Sequence, residues 1–426
     1  MFDFPRVILP CAWLAALCLG AGWALPARAA TLAELEQILK RDNPQLQQAR
    51  QAILAAQLQA SIAGALPAPQ FSVVEQANTG GPFDFNHASG FYAYYNLVQP
   101  FLWFGKRTLA ADIARAQAQA VAAQYQTLEL QLLAALKTGV SQLRALEQQL
   151  RFMDEDRQRL EQIKQASRVR YANHAAAYVD YLNAQVAASS LDNDRFALQK
   201  QLETTCEQIN ALLGRPSATP LSVEGHEEVP HLPAEPLQAL IAQAQQANPS
   251  IAASQAQRTA ADQAVQLARK AFWPDFQLSL GSYADPSVVQ LQTQRLYALG
   301  LSLSLPTWGL RKERAGLDQA RAQLDEARAA EESTRQQVEQ TIAADYHALE
   351  TALKQLEFTR DRLLPQAQMA YQLALRGYAS GGDIAFSELL QAQSGLRAAE
   401  LARIQAETAA RQAYVNLAAA VGHDPQ

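Results

Sequence analysis

The sequence predicts a mainly helical protein with a small β part, built from two copies of one unit. Long stretches rich in Ala, Gln and Leu contain heptad-spaced apolar residues, which is typical of coiled-coil helices. Four short segments alternate apolar and polar residues, as half-exposed strands do. Asn43-Pro44 returns about 205 residues later as Asn248-Pro249, Gly214 returns as Gly422, and other short motifs recur at similar spacing, which indicates an internal duplication.

The clearest strand is residues 297–305, where a side chain period of two separates a large apolar face from a small polar face. The apolar side comprises Tyr297, Leu299, Leu301, Leu303 and Leu305, and the other side Ala298, Gly300, Ser302 and Ser304. Pro306 is expected to end the ladder because proline has no N–H to donate. The first copy repeats this arrangement in residues 92–107, where Pro100 and Trp103 precede a basic pair. The four predicted strands are 71–76, 91–98, 276–280 and 297–305.

Very long helices are predicted after both strand pairs. Residues 101–215 contain no proline, and a single helix over 106–170 would be about 97 Å long. Its predicted coiled-coil seam is Leu136, Leu143, Leu146, Leu150, Met153 and Leu160. The seam recurs in the second copy at Ile342, Leu349, Leu353, Leu356 and Leu363. There, Pro365 is predicted to kink or restart the long helix 309–377.

The chain is predicted to consist of a secretory signal peptide (1–29), a first repeat (30–214), a linker (215–236) and a second repeat (237–426). Ala27-Arg28-Ala29 forms a small-residue cleavage site after an apolar stretch, and a membrane anchor is the alternative interpretation. After the signal, no apolar run approaches the ~18 residues that a membrane-spanning helix needs.

Four strands are too few to close a barrel in a membrane, because an open edge leaves backbone groups unpaired in lipid. About eight strands form the smallest closed barrels of bacterial outer membranes, so the chain is expected to oligomerise. A dimer would supply eight strands and a trimer twelve, and a wide lumen favours the trimer. The helices carry polar outer faces and are therefore expected to project as a bundle from one end of the barrel.

These features resemble the TolC-like outer-membrane efflux proteins over essentially the whole mature sequence. The resemblance is carried by the duplication, by the strand–Pro–x–Trp–Gly–basic junction at 306–311 (longer at 100–107), and by helix-turn-helix tips at 170–185 and 377–393. It implies a homotrimer with a twelve-stranded β-barrel in the outer membrane of a Gram-negative bacterium and a helical tunnel through the periplasm. It also implies a periplasmic adaptor protein and an inner-membrane pump as partners at the tips.

Acidic residues follow both predicted tips, with Asp180 in the first copy and Asp383 and Glu388 in the second. Threefold symmetry would turn each inward acid into a ring at the tunnel mouth, which would gate the tunnel or favour cations. Acids in the first turn of a helix also complement its dipole, and this interpretation is preferred for Asp180 and Glu388. For Asp383 both interpretations stay open, since Gly382-Asp383 is also a good N-cap.

Adaptor contacts are predicted at Tyr171, Tyr378, Gly381 and Gly382 by the resemblance of the tips. The first tip departs from the family pattern, because it carries Asn173-His174 and three alanines where glycine is usual. A further group of aromatic residues lies at the predicted strand ends, where an aromatic girdle would contact the interfaces of outer-membrane lipid. Its proposed members are Tyr92, Tyr94, Trp103 and Trp308.

Several functional classes find no support in the sequence. The formal net charge of −5 and the pI of about 5.8 give no electrostatic footprint for nucleic acid. No nucleophile motif, phosphate-binding loop or cofactor motif occurs, so neither an enzyme nor a cofactor is predicted. The segment from His226 to His231 resembles a zinc box, but its spacing is wrong and Pro230 excludes the required helix, so no metal site is predicted.

The predicted function is a passive outer-membrane duct of a tripartite export system. The junction at 99–106 looks most like those serving pumps of the resistance–nodulation–division type, which implies efflux of metal ions or small toxic compounds. The alternatives are a duct for type I protein secretion and an exported coiled-coil interaction protein without a pore.

Overall fold

The structure, a computed structural model, describes residues 30–77, 91–224, 229–284, 295–305, 310–380 and 384–423. The predicted signal peptide, Trp308, Gly381, Gly382 and Asp383 therefore lie outside the described residues. The elements in chain order are β1 Ala30–Thr31, α1 Leu32–Asp42, α2 Pro44–Gly64, β2 Gln70–Ala77, β3 Phe91–Phe101, α3 Lys106–Ala172, α4 Tyr178–Leu212, β4 Val223–Glu224, α5 Leu237–Ala247, α6 Pro249–Lys270, β5 Asp275–Ala284, β6 Arg295–Ser304, α7 Arg311–Phe358, α8 Leu364–Ala379 and α9 Phe386–Val421.

The repeated Asn-Pro pair joins helices in the same way in both copies. Asn43 caps α2 by accepting a hydrogen bond from Leu46 N–H at 3.0 Å, and its amide donates to Leu212 O at the end of α4 at 2.7 Å. Asn248 likewise accepts from Ser250 N–H at 2.8 Å and donates to Ala420 O near the end of α9 at 2.7 Å. The second repeat therefore opens with two helices, α5 and α6, that meet at Asn248 as α1 and α2 meet at Asn43.

Glycine completes this arrangement at the end of the returning helix. Gly214 and Gly422 both have positive φ, at 67° and 100°. A Cβ on Gly214 would lie 2.8 Å from Asp42 O, and one on Gly422 would lie 3.0 Å from Ala247 O. Both the backbone conformation and the close approach therefore require glycine. The recurring motifs seen in the sequence thus have the same structural role in each copy, as expected for a duplicated fold.

The elements form one layer, four elements wide, along the length of the molecule. The sheet has the order β2-β3-β5-β6, and every neighbouring pair is antiparallel. Next to the sheet, α2 packs on α3, α3 on α6, and α6 on α7. Towards the tips, α4 packs on α3, α3 on α9, and α9 on α7 and α8. At every level one edge of the layer belongs to the first repeat and the other edge to the second.

The long helix α3 has 67 residues and is about 100 Å long, as the absence of proline predicted. Most of its predicted seam is buried, whereas Leu150 is half-buried. Around its middle, Leu136 and Val140 pack against Leu35 and Leu39 of α1. In the second repeat, α5 packs against α7 and α9 in the corresponding way.

The second long helix changes its winding before Pro365. Residues Thr359–Leu363 form a π-helical turn between α7 and α8, in which Leu364 N–H donates to Thr359 O. Pro365 lies in the first turn of α8, so the predicted restart occurs there. The wider turn shifts the register of the seam. Leu363 is consequently 36% exposed while Thr359 is buried, so the last predicted position of this seam is wrong.

Strand β3 continues through Pro100 to Phe101, whereas the sequence predicted an end at residue 98. Pairing with β2 stops at Val98, but pairing with β5 continues and places Pro100 opposite Gln277. Because one side of β3 is open beyond Val98, a residue without an N–H is accommodated in the strand. The fourth strand ends at Ser304, just before Leu305 and Pro306.

Candidate functional site

One face of the four-stranded sheet is apolar and exposed across all strands. Cross-strand register aligns Leu97, Leu280 and Leu299 in one row, and Leu278 with Leu301 in the next. Leu299 and Leu301 are 76% and 68% exposed within the chain. Other exposed members of this face are Phe71, Val73, Tyr95, Tyr297 and Leu303. A contiguous apolar patch of this kind marks contact with lipid or with another protein.

The opposite face of the sheet is mostly small and polar, although Val74, Tyr94, Val98 and Pro100 also lie on it. It carries Ser72, Asn96, Gln277, Ser279, Gly281, Ala298, Gly300, Ser302 and Ser304. A sheet with one apolar and one polar face fits a wall between lipid and water. Among the described residues, no helix combines the length and hydropathy needed to cross a membrane.

An aromatic cluster lies where the sheet meets the helices. The Trp103 ring stacks on Trp273, with centroids 5.3 Å apart, and Phe101 stacks on Phe276 at 5.2 Å. Phe104 contacts the edge of Trp103 and is 73% exposed. The prediction that Trp103 belongs to an aromatic group at a strand end is consistent with this geometry. Trp273 was missed, although its position just before a strand was a usable signal.

Asp275 fixes the junction between β5 and α3. Its carboxylate accepts a hydrogen bond from the backbone N–H of Trp103 at 2.7 Å and an ion pair from Lys106 Nζ at 2.8 Å. Lys270 Nζ donates to Phe104 O at 3.1 Å and lies against Gly105, whose φ is 80°. In the junction motif, Gly105 thus supplies the left-handed turn, and Lys106 supplies the cation that pairs with Asp275 of the second repeat.

Replacing Asp275 with alanine is expected to destabilise the folded protein by about 1–3 kcal/mol, because a partly buried amide and an ammonium lose their common acceptor. Thermal unfolding of the purified protein in detergent measures this effect. Glu161→Ala, which removes an exposed acid paired with Lys164 on α3, is the matched control and should cost less. Equal losses in the two variants would contradict a structural role for the junction.

The other predicted girdle residues are placed differently. Tyr94 lies on the polar face, where its hydroxyl would be 2.7 Å from a Cβ on Gly281. This orientation argues against a lipid contact for Tyr94. Tyr92 lies in β3 opposite Gln76, and only its backbone position is described.

The first tip carries a row of tyrosines. The ring centroid of Tyr171, at the end of α3, lies 5.2 Å from that of Tyr178. The Tyr178 ring in turn stacks on Tyr181, with their centroids 5.8 Å apart. Tyr171 and Tyr178 are 47% and 50% exposed. His174 adopts a positive φ of 54°, so it occupies the left-handed turn position at which glycine was expected.

The second tip is held to the first by Arg170. Its guanidinium lies 4.4 Å from the centroid of the Tyr378 ring and donates hydrogen bonds to Tyr378 O and Ala175 O. The Tyr378 side chain is only 2% exposed, and its hydroxyl lies 3.4 Å from Ser167 Oγ. Tyr378 is therefore at the tip as predicted, but its ring is packed inside the chain and is not accessible to an adaptor.

The candidate gating acids that the structure describes both lie in first helical turns. Asp180 is half-buried in the first turn of α4, and its backbone N–H donates to the carbonyl oxygen of Ala177, the residue before the helix, at 3.1 Å. Glu388 is exposed in α9, and its carboxylate accepts the backbone N–H of Ala385 at 3.2 Å. Both positions are compatible with the preferred dipole interpretation, and a ring at the tunnel mouth stays a prediction.

A buried polar cluster, which was not predicted from the sequence, lies between α3 and α9 on the sheet side of the tips. Asp156 of α3 is fully buried and accepts a hydrogen bond from Gln393 Nε2 of α9 at 2.6 Å. Arg159 Nη1 lies 3.7 Å from its other oxygen. Burial raises the pKa of the Asp156 carboxyl, and the Gln393 hydrogen bond and the charges of Arg397 and Arg159 oppose that rise only in part.

Because the folded state raises the pKa of Asp156, it binds the proton more tightly than the unfolded state does. Stability should therefore fall as the pH rises from the range of an ordinary carboxyl through the raised pKa. Asp156→Asn keeps the Gln393 contact and should remove this pH dependence, so that the variant is the more stable protein above that range. Melting temperatures across pH 4–8 test it, with the exposed Asp154→Asn as the control for lost charge. Parallel pH profiles of wild type and Asp156→Asn would contradict this account.

No cluster of His, Cys, Asp and Glu suited to a metal ion occurs among the described residues. Half of the zinc-like segment of the linker, including His226, lies outside that part of the chain. The features that the structure brings together are a sheet with one lipid-compatible face and a layer of long, polar helices ending in two tips. This arrangement defines a subunit of a membrane channel.

The chain belongs to the outer membrane efflux protein family, whose model matches residues 35–215 and 240–423. The two matched segments correspond to the two copies of the duplicated fold. The predicted family, the predicted fold class and the outer-membrane location with a large periplasmic portion are thereby confirmed. No curated protein sequence matches the chain.

Solved structures share the fold across almost the full chain. The outer-membrane channel OprN matches with a TM-score of 0.79 at 21% identity, covering 92% of this chain and 89% of its own. CusC, for which transmembrane channel formation is described, matches with a TM-score of 0.80 at 19% identity, covering 99% of each chain. VceC from Vibrio cholerae gives a TM-score of 0.75 at 20% identity, covering 92% of this chain and 96% of its own.

Proposed function

We propose that three copies of this chain form a passive duct that carries cargo from an inner-membrane pump and a periplasmic adaptor across the periplasm and outer membrane. The observation that carries this proposal is the apolar face of the sheet, which has no cover within the described chain. In a coiled-coil rod without a pore, this apolar face would be exposed to water, which is unfavourable. The family supports export as the general function, and the trimer, the cargo and the partners are the parts proposed here.

The open edges of the layer support a closed ring of subunits. Within the sheet, β2 and β6 each have one described neighbour, and all pairs are antiparallel. Ring closure by a rotation axis would place β6 of one chain beside β2 of the next. Three chains would give twelve strands, which leaves an open lumen, whereas two would give about the smallest closed barrel.

The edge helices carry apolar stripes that point away from their own chain. On α4, Leu182, Val186 and Phe196 are 41%, 68% and 65% exposed, while Leu191 on the other side is buried against the chain. On α8, Met369 and Leu373 are 63% and 69% exposed, opposite the buried Tyr371. In a ring, α4 of one subunit would pack against α8 of the next and cover both stripes.

We propose metal ions or small toxic compounds as cargo and a pump of the resistance–nodulation–division type as partner, on the strength of the junction at 99–106. A type I protein-secretion duct is the second candidate. At the tips, we propose that Tyr171, Gly381 and Gly382 contact the adaptor, while Tyr378 positions the tip through Arg170. Asp180, Asp383 and Glu388 remain the candidate acids for the tunnel mouth.

Single-channel recording in planar bilayers tests the proposed duct, with native mass spectrometry in detergent to count subunits. The proposal predicts a trimer mass and discrete conductance steps. It also predicts a lower cation preference for Asp383→Asn if that residue lies in the tunnel mouth, with the exposed Asp318→Asn as the control. A monomer that stays in aqueous solution and forms no channels would contradict the duct and favour the rod.

A further inference from the structure

The helical layer contains a crevice at the point where two helices of one column meet end to end. The N-terminus of α6 approaches from the sheet side and the C-terminus of α9 from the tip side, between α3 and α7. The crevice has a volume of about 730 Å³, which is enough for a drug-sized molecule.

The walls of the crevice combine hydrogen-bonding side chains with aliphatic ones. Polar lining residues include Gln131, Thr138, Gln337, Thr341 and Asn416. The Thr341 hydroxyl already donates to Gln337 O at 2.8 Å. The amides of Gln131, Gln337 and Asn416 make no hydrogen bond to any residue in the described part of the chain. Leu130, Ala134 and Val338 supply apolar surface.

A single carboxylate, that of Asp345 on α7, provides the charge of the crevice. Asp345 is the one ionisable side chain among the described residues that line it. Burial alone raises the pKa of this carboxyl, and no neighbouring cation lowers it. Within the described residues, no hydrogen bond or ion pair engages the Asp345 side chain. A partly buried carboxylate without a partner is unfavourable for the fold, which points to a ligand rather than to stability.

The crevice opens on the side of the layer opposite to the short helices α1 and α5. Helix α1 packs on the α3 side that carries Leu136 and Val140. Thr127, Gln131 and Thr138 lie on the opposite side of α3 by helical periodicity. In a closed ring, α1 and α5 must lie outside the tunnel, because they would fill its lumen otherwise. The crevice then faces the path of the cargo.

We propose that this crevice is a binding station for amphipathic organic cations in transit, with Asp345 as the anion that receives a protonated amine. The proposal rests on the proposed duct for its placement in the cargo path. One carboxylate with neutral amides is too small a donor set for Mg²⁺ or Ca²⁺, which take six or more oxygen ligands. The described residues that line the crevice include no His or Cys, the side chains that Zn²⁺ prefers. The carboxylate matches a single ammonium group, and the aliphatic wall matches an attached apolar body. Each trimer would hold three such stations.

A fluorescence titration of the detergent-solubilised protein tests the proposal with two probes that share one fluorophore. Dansylcadaverine carries a primary amine, and N-pentyl dansylamide is its neutral counterpart. The wild-type protein should prefer the amine, and Asp345→Asn should bind it about tenfold more weakly, since a charge-assisted hydrogen bond is lost. The neutral probe should bind both proteins equally. Asp345→Glu, which keeps the charge, should retain the preference for the amine.

Glu339→Gln removes an exposed acid from the same helix, away from the proposed subunit interface, and controls for bulk electrostatics. An equal loss of amine affinity in Glu339→Gln and Asp345→Asn would overturn the proposal, as would a wild-type protein that does not distinguish the probes. Conductance of the same preparations separates the two hypotheses. Channels without selective amine binding contradict the station alone, whereas absence of channels contradicts the duct whatever the titration gives.

Discussion

Replacing Leu301 with arginine is expected to prevent stable assembly of the membrane barrel, while the same substitution at the adjacent Ser302 is tolerated. Leu301 is 68% exposed on the apolar face, and Ser302 points to the polar face. An arginine in contact with hydrocarbon near the middle of the bilayer costs about 2–4 kcal/mol, and a ring of three chains would carry three of them. At Ser302 the new charge would meet the water of the lumen.

Urea-dependent unfolding in lipid vesicles and the yield of detergent-resistant oligomer measure this difference. Ser302→Arg is the matched control, since it adds the same side chain to the same strand one residue away. It is expected to assemble and to change the ion selectivity of the channel. Equal assembly of both variants would show that the apolar face does not lie in lipid.

Replacing Leu58 with arginine is expected to shift the protein from trimer to monomer. Leu54, Leu58 and Ile62 form a stripe on α2 that is 50%, 55% and 65% exposed and points away from α3. In the proposed ring, this stripe would meet the edge of α7 in the next subunit, where the exposed residues include the small Ala315, Ala322 and Ala329. Large apolar residues can insert between small ones there.

The cost of Leu58→Arg has two parts. Loss of the leucine side chain removes about 1.5–3 kcal/mol of hydrophobic stabilisation from each interface. An unpaired buried charge adds a further penalty of several kcal/mol. Gln59→Arg, on the neighbouring exposed position of α2, should leave the trimer intact. Analytical ultracentrifugation in density-matched detergent distinguishes monomer from trimer. A monomer in neither variant, or in both, would contradict the assignment of this stripe to the subunit interface.

The sequence predicted those features that depend on local periodicity. The alternation in residues 297–305 and the heptad seam around Leu136 identify a strand and a coiled coil, because each pattern reports which side of an element is covered. The repeated Asn-Pro pairs and Gly214 with Gly422 also marked real structural positions. Proline was a less certain guide, since Pro100 fits within a strand whose neighbour on one side has ended.

Features that depend on tertiary contacts were not predictable. The π-helical turn at Thr359–Leu363 shifts which residues of the second long helix are buried. The spacing of the apolar residues there continues unchanged, so it gives no sign of this turn. Tyr171 and Tyr378 are equivalent in the two repeats, but only the second is buried, because Arg170 packs on it from the other tip. The crevice around Asp345 assembles from four helices, and no spacing along one helix reveals it. The duplication thus predicts the fold well and the sites poorly.

The most direct test of the central claim measures which face of β6 contacts lipid. Single cysteines at Leu301 and Ser302, in a background with Cys206→Ser, can carry nitroxide labels in vesicle-reconstituted protein. A lipid-facing apolar side predicts high accessibility to oxygen and low accessibility to a water-soluble nickel chelate at position 301, with the opposite result at position 302. Equal accessibility to the nickel chelate at both positions would contradict a membrane barrel and return the chain to a coiled-coil protein without a pore.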